Sequence, residues 1–184
     1  MAWRTGFALI ALLSGCSPVV DVEFSKVEVS RPDIVIPPAP PIGSSTVTFS
    51  FAVNSSSMGA SSNPAAQDNI VELNLHRLAF TARSGITDMS FIETLHAIAC
   101  VPTSKSTTKS SRQVEIADYR RTEDIPAGAT FDVPLPEPVD LLPLLRPTKS
   151  EPRLIVVIVN LGGSLPTSEW RTDALMSLSL RLRQ

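Results

Sequence analysis

Residues 46–53 read TVTFSFAV, and the apolar side chains of Val47, Phe49, Phe51 and Val53 alternate with Thr46, Thr48, Ser50 and Ala52. Successive side chains in an extended chain point to opposite faces, so a period of two predicts a strand with one buried face. Comparable segments recur on both sides of this one. Upstream, Val20, Val22 and Phe24 alternate with Asp21 and Glu23, after which the apolar phase moves by one to Val27 and Val29. The slip at Ser25-Lys26 predicts a bulge. Downstream, Val71, Leu73 and Leu75 alternate and Leu78, Phe80 and Ala82 continue on the shifted phase, which places another change of face near His76-Arg77.

Farther along, Leu95 to Val101 is apolar on both faces apart from His96, the pattern of a centrally placed strand. Val114 and Ile116 begin a fifth strand. Phe131, Val133 and Leu135 form a sixth, which Pro134 confines to an edge or a strand end. The run LIVVIV at 154–159 predicts a strand buried on both faces. In the last segment Ala174, Met176, Leu178, Leu180 and Leu182 share one face, opposite a largely polar one.

The connections carry turn chemistry. PPAPP at 37–41 favours a polyproline II spacer, and the Ser-, Asn- and Ala-rich stretch 54–68 and the polar stretch 105–112 read as loops. Asp88 is placed to cap a short turn through Met89–Ile92, and 139–145 holds one or two helical turns at most. Asn160 to Pro166 reads as a turn in which Gly162-Gly163 supplies positive φ angles. These elements predict an all-β protein, an antiparallel β-sandwich of immunoglobulin-like proportions with seven to eight strands.

The chain has 184 residues, 43% of them apolar and 18% charged, which suits one domain and excludes a wholly disordered polymer. Sixteen cations against 18 acids leave a net charge of -2. That balance gives no basic field of the kind that drives nucleic-acid binding, so no nucleic-acid partner is expected.

The N-terminus carries the most specific signal. Met1–Arg4 supplies one cation, GFALIALL at 6–13 is uncharged and apolar, and Leu13-Ser14-Gly15-Cys16 closes the run. This is the order of a secretory signal peptide, and eight apolar residues fall far short of the ~20 a membrane-crossing helix needs. LSGC followed by Ser17 resembles the lipobox of bacterial lipoproteins. The resemblance implies cleavage between Gly15 and Cys16 and a diacylglycerol thioether, usually with an acylated amine, on Cys16. It divides the chain into a lipoprotein signal peptide at 1–15, a lipidated N-terminus and short tether at 16–19, and a single sandwich domain at 20–184. In a host with two membranes, Ser17 after the cysteine resembles the pattern sorted to the outer membrane. The other reading of the same residues is an ordinary cleaved signal peptide with a chance cysteine. If Cys16 carries lipid, Cys100 has no disulfide partner in the chain, and its setting between Ala99 and Val101 suits a small buried hydrophobe.

Candidates for chemistry are few. His76 and His96 are the only histidines, which excludes a three-histidine zinc site. No Gly-x-Ser-x-Gly occurs, and the serines of 54–62 and 104–111 have no histidine or acid patterned beside them. Glu115, Asp118, Glu123 and Asp124 lie close in sequence without the spacing of a calcium-binding loop and read as solvated. Tyr119, Arg120, Arg121, Trp170 and Arg171 put aromatic and guanidinium groups near strand ends, and such groups are enriched at protein interfaces. No cofactor and no metal are expected. The sequence thus reads as an envelope lipoprotein anchored to a membrane through Cys16, with a protein partner in the envelope and a non-enzymatic binding or structural role. The alternative is a surface sandwich that binds carbohydrate or a small ligand, with Trp170 and Tyr119 as stacking rings.

Overall fold

Among the described residues nine strands, the longer of which mostly alternate buried and exposed side chains, build two antiparallel sheets that share one apolar core. The computed structural model describes residues 21–40, 46–54, 69–101, 112–122, 128–145 and 154–183. Gly15, Cys16, the tether, Glu123, Asp124 and almost all of the two long polar loops lie outside the described residues. The elements are β1 (Asp21–Ile36), β2 (Thr46–Asn54), β3 (Ile70–Ser84), β4 (Ile92–Cys100), β5 (Gln113–Arg120), β6 (Thr130–Asp132), β7 (Val139–Asp140), the short helix α1 (Leu142–Leu145), β8 (Leu154–Gly163) and β9 (Trp170–Arg183). The first sheet runs β1-β9-β3-β6, with β7 also on β3, and the second runs β2-β8-β4-β5. The all-β antiparallel sandwich expected from the sequence is the observed fold. Among the described residues no helix is long and apolar enough to cross a membrane.

Both changes of face read from the sequence are present as bulges. Phe24 pairs with Leu180 and Val27 with Leu178, so Ser25 and Lys26 together oppose Ser179. In β3, Leu75 pairs with Leu178 and Arg77 with Ser177, which leaves His76 as the extra residue. A second bulge in β1 was not legible: Arg31 pairs with Ala174 and Ile34 with Thr172, so Pro32 and Asp33 oppose Asp173. Pro32 lacks a ladder donor, but β1 is an edge strand, and the strand continues past it to Ile36.

Across the core, Phe80 of β3 meets Phe49 and Phe51 of β2 edge to face, at ring-centroid distances of 5.7 and 6.4 Å. Such pairs add about 0.5–1.5 kcal/mol each beyond their buried area. Leu73, Leu75, Leu78, Leu95, Val157, Val159 and Leu178 are almost fully excluded from solvent around them.

Two expectations need correction. The run 154–159 is not buried on both faces: Ile155, Val157 and Val159 are buried, while Leu154, Val156 and Ile158 are only half-buried. Its β-branched residues satisfy strand propensity on the outer face as well as packing on the inner one. The turn expected at 160–166 begins later, because β8 continues to Gly163 and β9 starts as early as Trp170. Thr172 hid this early start, since its hydroxyl sits on the buried face. There it donates to the Thr81 carbonyl at 2.9 Å, which removes the cost of burying it. PPAP at 37–40 lies outside the strands, with Ala39 buried and its N–H donating to the Pro166 carbonyl at 3.0 Å.

Gly163 has φ +138°, and a Cβ there would strike the Phe91 carbonyl and lie 2.8 Å from the Glu93 nitrogen. The residue is therefore required by the close approach of β4, whose Ile92 it pairs with, rather than by a hairpin turn. Gly163→Ala is expected to destabilise the fold by at least about 2 kcal/mol, read as a lowered urea midpoint with unchanged slope.

Candidate functional site

The two lateral sides of the sandwich are built differently, and the contrast locates the candidate site. On the β5 side the gap between sheets is closed. Leu141 donates to the Leu73 carbonyl at 2.8 Å, α1 buries Leu144 and Leu145, and the Tyr119 ring lies on Phe131 at 5.3 Å. Nη2 of Arg121 donates to the carbonyls of Ser90 and Ile92, and Nη1 of Arg112 donates to that of Pro143 at 3.4 Å. The Ser90 turn is itself held by Asp88, whose Oδ1 accepts from the Ser90 N–H at 2.9 Å and from its hydroxyl. Those two donors hold the Asp88 carboxyl below its ordinary value.

On the other side the edge strands β1 and β2 lie next to each other and leave an open crevice of about 380 Å³. Arg31–Val35 lines one wall, Ser50–Ala52 the other, and Val156 contributes from β8. Ile34 and Phe51 are buried there, whereas Val35 is 44% exposed.

The β1 wall has a rigid cause. Asp33 adopts φ +60°, a conformation that costs a non-glycine residue about 1–2 kcal/mol unless its surroundings hold it. Its N–H donates to Asp173 Oδ1 at 2.7 Å, and its carboxylate accepts from Arg171 Nη1 at 2.6 Å. Nη1 of Arg83 donates to both oxygens of Asp173 at 3.0 and 3.2 Å. These side chains are about half exposed, so each ion pair contributes about 0–1 kcal/mol, and together they fix the bulge more than they stabilise the molecule.

The outer face of the first sheet continues as cross-strand ion pairs, with Asp21–Arg183, Glu72–Arg181 and Arg77–Asp132 at 3.2, 3.2 and 2.6 Å. The outer face of the second sheet carries half-buried apolar residues instead, among them Ala52, Val156, Ile158 and Ile98. Burial raises the Cys100 thiol above its ordinary value and keeps it protonated, the setting of an unreactive cysteine.

Of the residues expected at an interface, the structure brings Arg121 and Trp170 toward the same turn, but not as exposed anchors. Trp170 is 2% exposed and meets Phe91 edge to face at 5.4 Å, so it belongs to the core. Tyr119 is half-buried on Phe131, and Arg121 spends its guanidinium on the Ser90 turn. Neither aromatic ring stands free for stacking a ligand. Arg120 is exposed at the end of β5, and Arg171 serves Asp33.

His76 bonds to Ser179 at 2.8 Å, while His96 lies 3.8 Å from Glu115 on the second sheet. Among the described residues no group of three or more His, Cys, Asp or Glu is placed to hold a metal ion. The β1/β2 side was missed in the sequence because a sheet edge is a property of strand order, which alternation does not report.

No protein-family model matches the chain, and no curated protein matches it. Among solved structures, one from Desmodium yellow mottle tymovirus aligns over 98% of this chain and 96% of its own at 14% identity, with a TM-score of 0.29. At that score the likeness carries no argument.

Replacing Asp33 separates the strain from the ion pair. Asp33→Ala keeps the positive φ and loses the Arg171 contact, at a cost of about 1–2 kcal/mol, whereas Asp33→Gly relieves the φ and should cost about 1 kcal/mol less. Urea midpoints of the two variants check the difference.

Proposed function

We propose that this chain is an envelope lipoprotein held to a membrane by acyl chains on Cys16, with the β-sandwich serving as a non-enzymatic protein-binding or structural module. The observation that carries the reading is the order of Arg4, the apolar run GFALIALL and LSGC in one register. Each buried methylene contributes about 0.8 kcal/mol, so two or three acyl chains hold a protein at a bilayer far better than one. In a host with two membranes, Ser17 favours the outer one.

The anchor also orients the domain. Asp21, where β1 begins, is five residues beyond Cys16, a reach of at most ~18 Å. The tether therefore keeps the Asp21 end of β1 near the headgroups, together with the Asp21–Arg183 and Glu72–Arg181 pairs. That leaves the β1/β2 side lateral to the bilayer and accessible from the aqueous phase. A protein partner is favoured over a carbohydrate because the accessible feature is a strand edge, which recognises extended backbone.

Mass spectrometry of the N-terminal peptide from the membrane fraction tests the anchor. The expected result is a peptide beginning at Cys16 with diacylglycerol mass, and a Cys16→Ala chain without it. An unmodified wild-type N-terminus, or wild-type protein recovered in the soluble fraction, overturns the reading.

A further inference from the structure

Three of the sandwich's four sheet margins carry features that oppose the addition of a strand. β1 has two bulges, Lys26, Pro32 and Asp33. β5 is irregular opposite Ala97 and Ile98 and bears Glu115, Asp118 and Arg120. β6 and β7 have three and two residues. Bulges, charges, prolines and short length are the devices by which edges are kept from pairing. β2 has none of them. Its nine residues TVTFSFAVN include no charge and no proline, and they keep unbroken register with β8 from Thr46–Gly162 to Asn54–Leu154. Among the described residues its backbone ladder is to β8 alone.

We propose that β2 pairs with β2 of a second copy of this chain, antiparallel about a two-fold axis at Ser50, so that two four-stranded sheets become one continuous sheet. Such an axis, perpendicular to the sheet, returns every residue to its own face, and full overlap of Thr46–Asn54 sets Ser50 opposite itself. On the buried face Phe49 then opposes Phe51 and Val47 opposes Val53. On the outer face Thr48 opposes Ala52 and Thr46 opposes Asn54. The buried face is palindromic in residue class about Ser50, and on the outer face only the Thr48–Ala52 pair departs from that symmetry, which is close to what an interface built from one patch against itself requires.

No like charges meet across this pairing, because the strand has none. A nine-residue strand spans about 30 Å, and a single sheet layer is roughly 10 Å deep. The β2 edge alone covers on the order of 300 Å² per copy, or about 600 Å² in total, so the pairing is a weak, concentration-dependent one whose affinity comes from the backbone ladder. The crevice opens beside Ser50–Ala52, the middle of the overlap, and exposed Val35 borders it. The inference goes beyond the anchored-module reading and does not depend on lipidation.

The test is sedimentation velocity of the full chain in detergent across a concentration series. Wild type is expected to dimerise. Ser50→Lys and Ser50→Glu, each placing like charges face to face, should each weaken dimerisation about tenfold. An equimolar mixture of the two should recover a dimer, and Gln113→Lys on the opposite margin should change nothing. Far-UV circular dichroism checks folding. If either Ser50 variant loses its strand signal, Thr46→Lys with Asn54→Lys, and the glutamate counterpart, repeat the comparison at the strand ends. A wild type that stays monomeric at about 100 µM, a dimer indifferent to the charges, or a mixture that fails to recover each overturns the proposal. N-terminal mass, measured on the same samples, reports separately on the anchor.

Discussion

Each strand at the margin of a sheet presents a row of N–H and C=O groups that must be shielded, solvated or paired, and this constraint shapes the lateral sides of the sandwich. The β5 side is shielded by α1, by the Tyr119–Phe131 contact and by Arg121, which reaches across to the Ser90 turn. On the β1 side the chain bends itself out of register, and Asp33 accepts a strained backbone to do so. The same bend sets the β1 wall of the crevice that leaves the middle of β2 accessible.

The core explains why β2 can be regular. Phe49 and Phe51 are both engaged by Phe80 from the opposite sheet, and this contact fixes which face of β2 turns inward. A slip of one residue would exchange those rings for Thr48 and Ser50, so the register with β8 is strongly determined. The outer faces need no such determination. One is a lattice of half-exposed ion pairs whose individual contributions are small, and the other mixes half-buried aliphatic residues with Thr48, Asn160 and His96.

Periodicity made most of the fold legible. Alternation located β2, both halves of β3 and the body of β9, and the phase slips at Ser25-Lys26 and His76-Arg77 located two bulges. It failed where a polar side chain was satisfied internally, as at Thr172, or where a proline sat in an edge bulge, as at Pro32. Residue type singles out interface candidates but does not report burial: Trp170 has the composition of an anchor and the position of a core residue. The open side could not be read at all, since β1 and β2 become neighbouring margins only once β9 and β8 have paired with them from distant parts of the sequence.

Hydrogen exchange read by mass spectrometry at low and high protein concentration tests whether the free edge of β2 takes a partner strand. Amides of 46–54 facing away from β8 are expected to gain protection as concentration rises, while those of β1 and β5 keep the same rates. Concentration-independent exchange in 46–54, or protection gained at β1 instead, would contradict the pairing.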